Sequence, residues 1–541
     1  MKKSVSHVNR AGDTTAFGDR TSRGAFAFAM LAVLAILALT LTYPFNNDNA
    51  LYAYMADLLL KGGLPYLGSW DQNFPGILLV HAPQILILGR SQLAFHIWDV
   101  LLQLVSAIYV YRIAERLGGK RSATLAAILS ALYYVQQGLW MSGERDTYVT
   151  LLLLVAIWQS IKRDTPIVRT GIWIGLMCGL VILFRPTYAL YAIVFTIWFY
   201  FVRERTRGRE AWAPTLFFFS AVLFPTAIIL IVYAMSGGLH ELWMATLEFN
   251  FKVYGGHGEA FSFWDPIRFY AVSVPAFLIG VLFLWQSRER RTLLLLLGLF
   301  LGSFVSLVVL YRHSVYHYHP MMVLFLLLSA IGWGDIVRRI SATASNQSFK
   351  LARVLPITLL SLVVLFFTFQ TFRGNTIQLV LRDLVSGKIH TMDQMYAYYE
   401  GSPAFGEPVQ AQVGDYLLAH TVPGEAVQMF GPYSYPQYRA GLGTTSRFQT
   451  LHAIMMRGAG DTLQPFQKLW RKQYLSSLIE APPKYFIVCD APEAFRQYYG
   501  GRLGHEILRD DFTDLQAWLS NDYMRDTVFG AFTLYRRSEL R

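Results

Sequence analysis

The sequence predicts an α-helical polytopic membrane protein that carries a soluble α/β domain at its C-terminal end. Three observations indicate this fold class. Of the 541 residues, 54% are hydrophobic and only 15% are charged, whereas about 25% of the residues of a soluble domain are charged. Apolar runs such as 25–41 and 354–369 are typical of membrane spans. After about residue 373 the composition changes to that of a soluble protein.

The apolar runs predict about eleven membrane spans. These spans lie at roughly 25–43, 93–113, 122–139, 147–162, 170–185, 187–203, 212–235, 268–286, 292–311, 318–336 and 353–371.

Basic residues recur in alternate loops between these spans and in segment 1–24. Because cytoplasmic loops are enriched in Lys and Arg, segment 1–24 is predicted to be a cytoplasmic tail. Residues 25–373 then form the transmembrane domain, and residues 374–541 lie outside the cytoplasm. We expect the inner (plasma) membrane of a bacterium, with a periplasmic C-terminal domain. The basic residues of the predicted cytoplasmic segments also account for the net charge of +12. We therefore expect no nucleic-acid partner.

The first outer loop, residues 44–92, is too polar to form a single span. Leu51, Tyr54, Met55 and Leu58 recur at helical spacing, and the apolar stretch 76–88 follows. Both stretches are too short to cross a bilayer, so we predict two helices lying at the membrane interface. A second outer loop, residues 236–267, is centred on the Gly-rich run 255–258, which is typical of a mobile loop.

The tail combines predicted strands and helices, which indicates a small α/β domain. The predicted strands are Ala426–Gly431, Lys484–Asp490 and Phe529–Arg537, and the predicted helices are Val409–His420, Thr462–Ala481 and Leu515–Tyr523.

Asp48 lies just outside the first span, where a carboxylate supports two compatible interpretations. It could cap the interfacial helix that begins beside it, since Asp is a favoured N-cap residue. It could also act as a general base that takes a proton from an acceptor hydroxyl.

The run Glu144-Arg145-Asp146 stands at the outer end of the fourth span, where the two acids suit a helix N-terminus. Arg145 does not suit that position, because a cation is unfavourable there.

Arginines at the outer ends of spans suggest an anionic ligand. Arg145 and Arg185 are both placed in this way, and phosphate is the natural candidate for two guanidinium groups. A snorkelling side chain is the alternative explanation for Arg185.

His317 and Tyr318, before the tenth span, fit an interfacial aromatic belt or hydrogen bonds to a lipid phosphate. The neighbouring histidines do not have the spacing of a zinc site, so no metal is expected. His96 and Asp99 share a face of the second span and are interpreted as a satisfied polar pair.

No Gly-rich phosphate-binding motif for ATP or a nucleotide sugar is present. The chain resembles the GT-C glycosyltransferases that use polyprenyl-phosphate sugars, which include the protein O-mannosyltransferases, the aminoarabinose transferases and the Rgt-type bacterial transferases. The resemblance rests on Asp48 after the first span, on Gly62–Tyr66 and Trp70–Gly76, on Arg145-Asp146, and on Tyr316–Pro320. It covers most of the chain and is most specific over about 44–160. Asn49 and Asn73 stand where the family often has Glu and Lys.

The resemblance implies an inverting glycosyltransferase that moves a sugar from a polyprenyl-phosphate donor to an acceptor hydroxyl on the outer face of the membrane. It implies that Asp48 is the general base and that Asp146 orients the surroundings of Asp48 or the sugar. Donor phosphate would be bound by Arg145, Arg185, His317 and Tyr318, and the substrate loops would contribute Asp71, Asn73 and His257. It implies no cofactor.

The expected partners are a polyprenyl-phosphate-linked sugar, membrane lipids, and an acceptor that is a lipid, a glycan or a protein. Two alternatives from other classes remain open: a lipid or glycan transporter or flippase, and a non-catalytic envelope assembly protein.

Overall fold

The fold is given by a computed structural model. It describes residues 13–162, 165–199, 212–256, 268–310, 314–345, 349–399, 407–458, 462–491, 495 and 500–538.

Long helices make up the N-terminal two thirds of the chain. They are α1 Asp13–Leu37, α2 Asn47–Leu60, α3 Leu78–Leu88, α4 Gln92–Gly118, α5 Lys120–Gln136, α6 Arg145–Ile161, α7 Ile167–Phe184, α8 Ala189–Trp198, α9 Trp212–Met235, α10 Leu239–Trp243, α11 Phe249–Lys252, α12 Val274–Gln286, α13 Arg290–Leu310, α14 His319–Ser345 and α15 Phe349–Phe372.

Each predicted span coincides with one of these helices. Among the described residues, six helices are long and apolar enough to cross a membrane. A seventh crossing is added if Ile357–Phe372 and Thr376–Val385, which meet at 92°, form one broken span. The expected polytopic helical fold is therefore confirmed, whereas the number of spans stays a prediction.

The helices pack around α14, whose apolar segment from Met321 to Leu328 is fully covered by its neighbours. The buried side chains of α1, α4, α5, α6 and α7 belong to the same apolar core. Exposed apolar side chains lie on the outside of the bundle, on helices such as α9 and α15. This distribution is typical of a bundle whose outer surface faces lipid.

The first outer loop contains both predicted helices, α2 and α3, joined through a short 3₁₀ turn at Pro75–Ile77. Asn46 is the N-cap of α2, because its side-chain oxygen accepts a hydrogen bond of 2.7 Å from the amide of Asn49. Asp48 lies inside the first turn of α2. The interpretation of Asp48 as the N-cap is therefore wrong, since Asn46 already satisfies that amide. This leaves the Asp48 carboxylate available for other contacts.

Gly76 brings the first outer loop against the end of α7. A Cβ atom at this position would lie 2.7 Å from the backbone C and O atoms of Leu183 and the backbone N of Phe184. Only glycine permits this approach, because real Cβ contacts to backbone atoms are essentially never shorter than 3.0 Å. Since Arg185 follows Phe184 directly, the contact also fixes the loop beside Arg185.

We expect Gly76→Ala to destabilise the protein by about 1–3 kcal/mol, because the added methyl group overpacks a rigid backbone contact. Gly68→Ala is the matched control in the same loop, since its Cβ would meet its nearest neighbour at 3.6 Å, an ordinary contact distance. Thermal unfolding of both variants in detergent checks this expectation. Equal melting temperatures for the two variants would contradict it.

The C-terminal part of the chain contains a four-stranded sheet. Its strands are β1 Val427–Phe430, β2 Tyr485–Cys489, β3 Tyr523–Phe529 and β4 Phe532–Arg537, in the order β1-β2-β4-β3. β1 and β2 are parallel, and the other two pairings are antiparallel. The helices of this part are α16 Thr376–Val385, α17 Met392–Ala397, α18 Glu407–His420, α19 Tyr435–Ala440, α20 His452–Met455, α21 Pro465–Glu480, α22 Gly504–Asp511 and α23 Thr513–Asp522.

The three predicted strands are confirmed as β1, β2 and β4, but the predicted start of the third at Phe529 is wrong. Phe529 ends β3, and a turn separates it from β4. Gly530 adopts a φ of 51° in the turn, which reverses the chain. The preceding strand β3 was missed because most of its side chains are exposed or half-buried, so it lacks an apolar signal.

Candidate active site

The predicted site residues converge at one end of the helical bundle. Asp48, on α2, is half-buried, and its Oδ2 atom accepts a long hydrogen bond of 3.4 Å from the Tyr316 hydroxyl. Tyr316 belongs to the 3₁₀ turn Val315–Tyr318, which precedes α14. The N-terminus of α2 and the N-terminal end of α14 therefore meet at this carboxylate, although they are far apart in the sequence.

Glu144 is fully buried beside Asp48. It occupies the N-cap position of α6, but its side chain makes no capping hydrogen bond. Its Oε1 atom instead accepts a hydrogen bond of 3.2 Å from the side chain of Asn46. Burial and the charge of Asp48 raise the pKa of Glu144 well above its usual value. Glu144 stands at the helix N-terminus as expected, but its side chain contacts Asn46 and makes no capping hydrogen bond.

Arg145 is buried at the start of α6 and lies within electrostatic range of Tyr52, Tyr316 and Glu144. Its Nε atom has no hydrogen-bond partner within the described part of the chain. A buried guanidinium N–H without a partner is costly. The arrangement thus offers a hydrogen-bond donor and a positive charge to a ligand.

Asp146 forms a buried ion pair with Arg185. The Arg185 Nη1 atom donates to Asp146 Oδ1 at 2.9 Å, and both side chains are almost fully buried. The Tyr188 hydroxyl donates to the same oxygen at 2.5 Å. The backbone of Arg185 is extended between α7 and the turn Pro186–Tyr188, which turns its side chain toward α6. Asp146 therefore fixes the direction of the Arg185 guanidinium.

Asp71 and Asn73 lie together in the loop before α3. The Asn73 side-chain amide donates to Asp71 Oδ1 at 3.0 Å, and both side chains are buried. Burial raises the pKa of Asp71 to about 6, opposed by the positive charge of Arg145. Asp48 also lies within electrostatic range of Asp71. The loop therefore contributes a titratable group to the same cluster.

The raised pKa of Asp71 makes stability depend on pH. The unfolded chain loses this proton near pH 4, whereas the folded protein holds it until about pH 6. Stability from this group is thus complete below pH 4 and is lost as the pH rises through 6. We expect the melting temperature of wild type to fall between pH 4 and 7 relative to that of Asp71→Asn. Parallel melting curves across this range would contradict the assignment.

Gln449 of the C-terminal part clamps this loop. Its side-chain oxygen accepts from the backbone N of Trp70 at 2.8 Å, and its side-chain amide donates to the Trp70 carbonyl at 2.7 Å. The Trp70 ring packs against Phe249 and Trp470, with ring centroids 4.8 and 5.8 Å apart. The backbone beside Asp71 is therefore held by residues from two distant segments.

We expect Gln449→Met to destabilise the protein, because it leaves a buried backbone N–H and C=O of Trp70 without partners at about 1–3 kcal/mol each. Gln516→Met is a control at a half-buried glutamine whose side-chain amide donates to the Ser520 hydroxyl at 3.1 Å and not to the backbone. A lower melting temperature and faster proteolysis of the loop are expected for Gln449→Met alone. If both variants melted and were cleaved as wild type is, Gln449 would not be holding the loop at Trp70.

His317, Tyr318 and His257 are the remaining residues that were predicted to belong to the site. His317 and Tyr318 are buried in the same turn as Tyr316, and Tyr318 lies near Tyr133. Tyr316, which was not assigned a role from the sequence, donates to Asp48. His257 lies outside the described residues.

His96 and Asp99 are linked through Ser142. The Ser142 hydroxyl donates to Asp99 Oδ2 at 3.0 Å and lies 3.0 Å from His96 Nδ1. Tyr134 and Tyr148 also donate to Asp99. The interpretation of a satisfied polar pair is therefore confirmed for Asp99 but not for His96, whose Nε2 atom is buried without a hydrogen-bond partner among the described residues.

Several buried polar atoms of the cluster have no hydrogen-bond partner among the described residues. They are Tyr52 Oη, Glu144 Oε2, Arg145 Nε and Asp146 Oδ2. Such atoms are rare in folded proteins and indicate a site that is completed by water or a ligand. No group of His, Cys, Asp and Glu in the described ranges is arranged to hold a metal ion. The cluster therefore offers hydrogen bonds and charge.

The sequence did not identify Tyr52, Tyr188 or Glu144 as site residues. Glu144 was visible in the Glu-Arg-Asp run but was assigned to helix capping. Tyr52 and Tyr188 gave no signal, because tyrosines near span ends are common in any membrane protein.

Comparison with known proteins supports the fold. Residues 75–231 match the family model described as dolichyl-phosphate-mannose-protein mannosyltransferase. The crystal structure of ArnT from Cupriavidus metallidurans bound to undecaprenyl phosphate is similar, with a TM-score of 0.54 at 12% identity over 94% of this chain and 97% of that chain. The apo structure of the same protein gives 0.51 at 12% identity over 95% and 98%. No curated protein matches the sequence.

Both findings agree with the resemblance seen in the sequence. The family match covers the segment from Pro75 through α9, which includes Arg145, Asp146 and Arg185. The similarity to ArnT extends over almost the whole chain and concerns the fold. The family match covers part of the chain, and the structural similarity shows that the chain has the same fold as ArnT.

Proposed function

We propose that the chain is an inverting glycosyltransferase that moves a sugar from a polyprenyl-phosphate donor to an acceptor hydroxyl on the outer face of a bacterial inner membrane. The observation that carries the proposal is the convergence of the half-buried Asp48 carboxylate with two buried arginines, Arg145 and Arg185, at one end of the bundle. A base and an anion-binding site are the two functions that this transfer needs. The description of the matched family names a lipid-phosphate sugar, and the ArnT structure holds undecaprenyl phosphate.

Asp48 acts as the general base. The acceptor oxygen attacks the anomeric carbon while its proton passes to the Asp48 carboxylate. The bond between the anomeric carbon and the phosphate oxygen breaks, and its electron pair leaves with the polyprenyl phosphate. Attack opposite to the leaving group inverts the anomeric carbon. Tyr316, whose hydroxyl donates to Asp48, holds the carboxylate in place.

Glu144 lies beside this base. Burial and the charge of Asp48 both raise the pKa of Glu144, so its carboxyl group holds a proton more readily than that of an exposed glutamate. A base needs to be ionised before it can accept a proton. The raised pKa of Glu144 therefore lowers the repulsion that an ionised Asp48 meets from its neighbour.

The arginines stabilise the departing phosphate. Arg145 supplies an N–H that is without a partner, and Arg185 is held in position by Asp146 and Tyr188. Preorganised donors of this kind stabilise negative charge as it develops on a leaving group. His317 and Tyr318 complete the phosphate site, and Asp71, Asn73 and His257 contact the sugar or the acceptor. The reaction requires no cofactor and no metal in this proposal.

A transfer assay tests the class of function. The full chain in nanodiscs is given radiolabelled polyprenyl-phosphate sugars and crude envelope acceptors, and label released from the donor is measured. Release that depends on the protein supports the proposal. Movement of intact donor between the leaflets without release would indicate a flippase, and neither release nor movement by a well-folded protein would indicate an assembly role.

A further inference from the structure

A large cleft lies in the C-terminal part of the protein, outside the site described above. Its volume is about 1030 Å³, and its walls come from the start of β1 and β2, the end of β4 and the loop after α19. Sites for small molecules occupy about 300–1,000 Å³. The cleft therefore has room for an extended ligand such as an oligosaccharide.

The charges around the cleft are mainly positive. Lys484 is paired with Glu425 at 2.8 Å, so these two charges compensate each other. Arg536 is half-exposed and forms a long ion pair of 3.9 Å with Asp526. Arg537 is exposed and has no ion pair within the described residues. Arg537, together with the weakly paired Arg536, can thus meet an anionic ligand, and arginine is well suited to bind carboxylates and phosphates.

Hydroxyl groups line the opposite wall. The Thr445 hydroxyl is buried without a hydrogen-bond partner in the described part of the chain. Thr445 also lines a neighbouring cleft of about 350 Å³ with Gln473 and Ser477, so the two clefts form one surface. Polar side chains beside the arginines of the cleft suit a ligand that has both hydroxyls and acidic groups.

The wall of the cleft is joined to the helix that carries Asp48. Thr444 lies within 3.2 Å of the Tyr54 hydroxyl on α2, and the Gly441 carbonyl accepts from Lys61 at 3.2 Å. Five residues after Thr444, the same loop ends at Gln449, which clamps Trp70. A ligand in the cleft therefore lies against the loop that contacts both the α2 helix and the Asp71 loop.

We propose that this cleft binds the acidic part of a glycan acceptor, with Arg536 and Arg537 on its anionic groups and the Thr445 hydroxyl on a neighbouring sugar. The inference rests on the proposed function and narrows the acceptor to an acidic saccharide. The C-terminal part then holds the acceptor while one of its hydroxyls is placed near Asp48.

Direct binding to the full chain in zwitterionic nanodiscs tests this inference. The probe is a fluorescent oligogalacturonate, with maltohexaose as the neutral saccharide and inorganic phosphate as the isolated anion. We expect the oligogalacturonate to bind and Arg536→Gln/Arg537→Gln to weaken binding on the order of tenfold or more, since the variant removes the charged donors that would bind the carboxylates. Lys468→Gln/Arg525→Gln is the matched control, because it removes the same charge from exposed residues outside the cleft.

The inference would be overturned if the two double variants lost the same binding affinity, or if maltohexaose bound as tightly as the oligogalacturonate. It would also be overturned if inorganic phosphate, at the same concentration of negative charge, displaced the probe. A fourth contradicting outcome is that phosphatidylglycerol added to the nanodisc prevents the probe from binding. Melting temperatures of both double variants verify that they fold. Asp48→Asn is expected to bind the probe as wild type does. Binding without sugar transfer would therefore contradict the proposed function alone, and transfer without binding would contradict the cleft alone.

Discussion

Replacing Asp48 with Asn is expected to lower the rate of sugar transfer by about 10²–10⁴-fold, the range typical of a removed general base. The Asn side chain has nearly the same shape but cannot take the proton of the acceptor hydroxyl. The α2 helix should stay intact, because its N-cap is Asn46 and the cap hydrogen bond does not involve Asp48. Label released from the donor per unit time is the measurement.

Asp57→Asn is the matched control for this variant. Asp57 belongs to the same helix, where it pairs with Lys61 and Arg90 away from the cluster. We expect Asp57→Asn to transfer sugar at a rate close to that of wild type. A rate for Asp48→Asn within a fewfold of wild type, with a normal melting temperature, would remove Asp48 from the role of base.

The second large effect is expected for Arg185→Leu, which should destabilise the protein by about 3–5 kcal/mol. This variant leaves the buried Asp146 carboxylate with only the Tyr188 hydroxyl as a partner, and a buried charge without its counter-ion is strongly unfavourable. Adding Asp146→Asn removes that charge, so the double variant should recover much of the loss. Thermal unfolding of the four proteins in detergent gives the coupling between the two residues.

Arg339→Gln is the comparison variant, because it leaves Asp335 with a second ion-pair partner. Asp335 still pairs with Arg338 when Arg339 is replaced, and the Arg339 side chain is 67% exposed. Its loss should therefore cost no more than about 1 kcal/mol. The Arg185–Asp146 assignment fails if the double variant is no more stable than Arg185→Leu.

The helices could be predicted from the sequence because their signal is local. Each span is a continuous apolar run, and no distant residue is needed to recognise it. Asp48, Arg145, Asp146 and Arg185 could be identified for a related reason. Ionisable side chains at the ends of apolar runs are costly, so they stand out from their neighbours. The structure brings all four to the same end of the bundle.

Other parts of the site depend on contacts between distant residues. The Glu144 carboxylate contacts Asn46, 98 residues earlier in the chain, so its own neighbours indicated only a helix cap. Gln449 is a neutral residue in the C-terminal part, and nothing near it in the sequence indicates a partner in the first outer loop. Tyr316 was given no role from the sequence, because a short turn decides which side chains reach Asp48, and sequence spacing does not predict that direction.

The clamp between Trp70 and Gln449 has a consequence for biosynthesis. The two residues are 379 positions apart, so at about 5–20 residues per second roughly 20–75 s pass between their emergence from the ribosome. During that interval the loop that contains Trp70 and Asp71 has been made but its partner has not. A nascent chain therefore lacks these two hydrogen bonds until most of the polypeptide has been synthesised. The final arrangement of the Asp71 loop is expected only after the C-terminal part has been made.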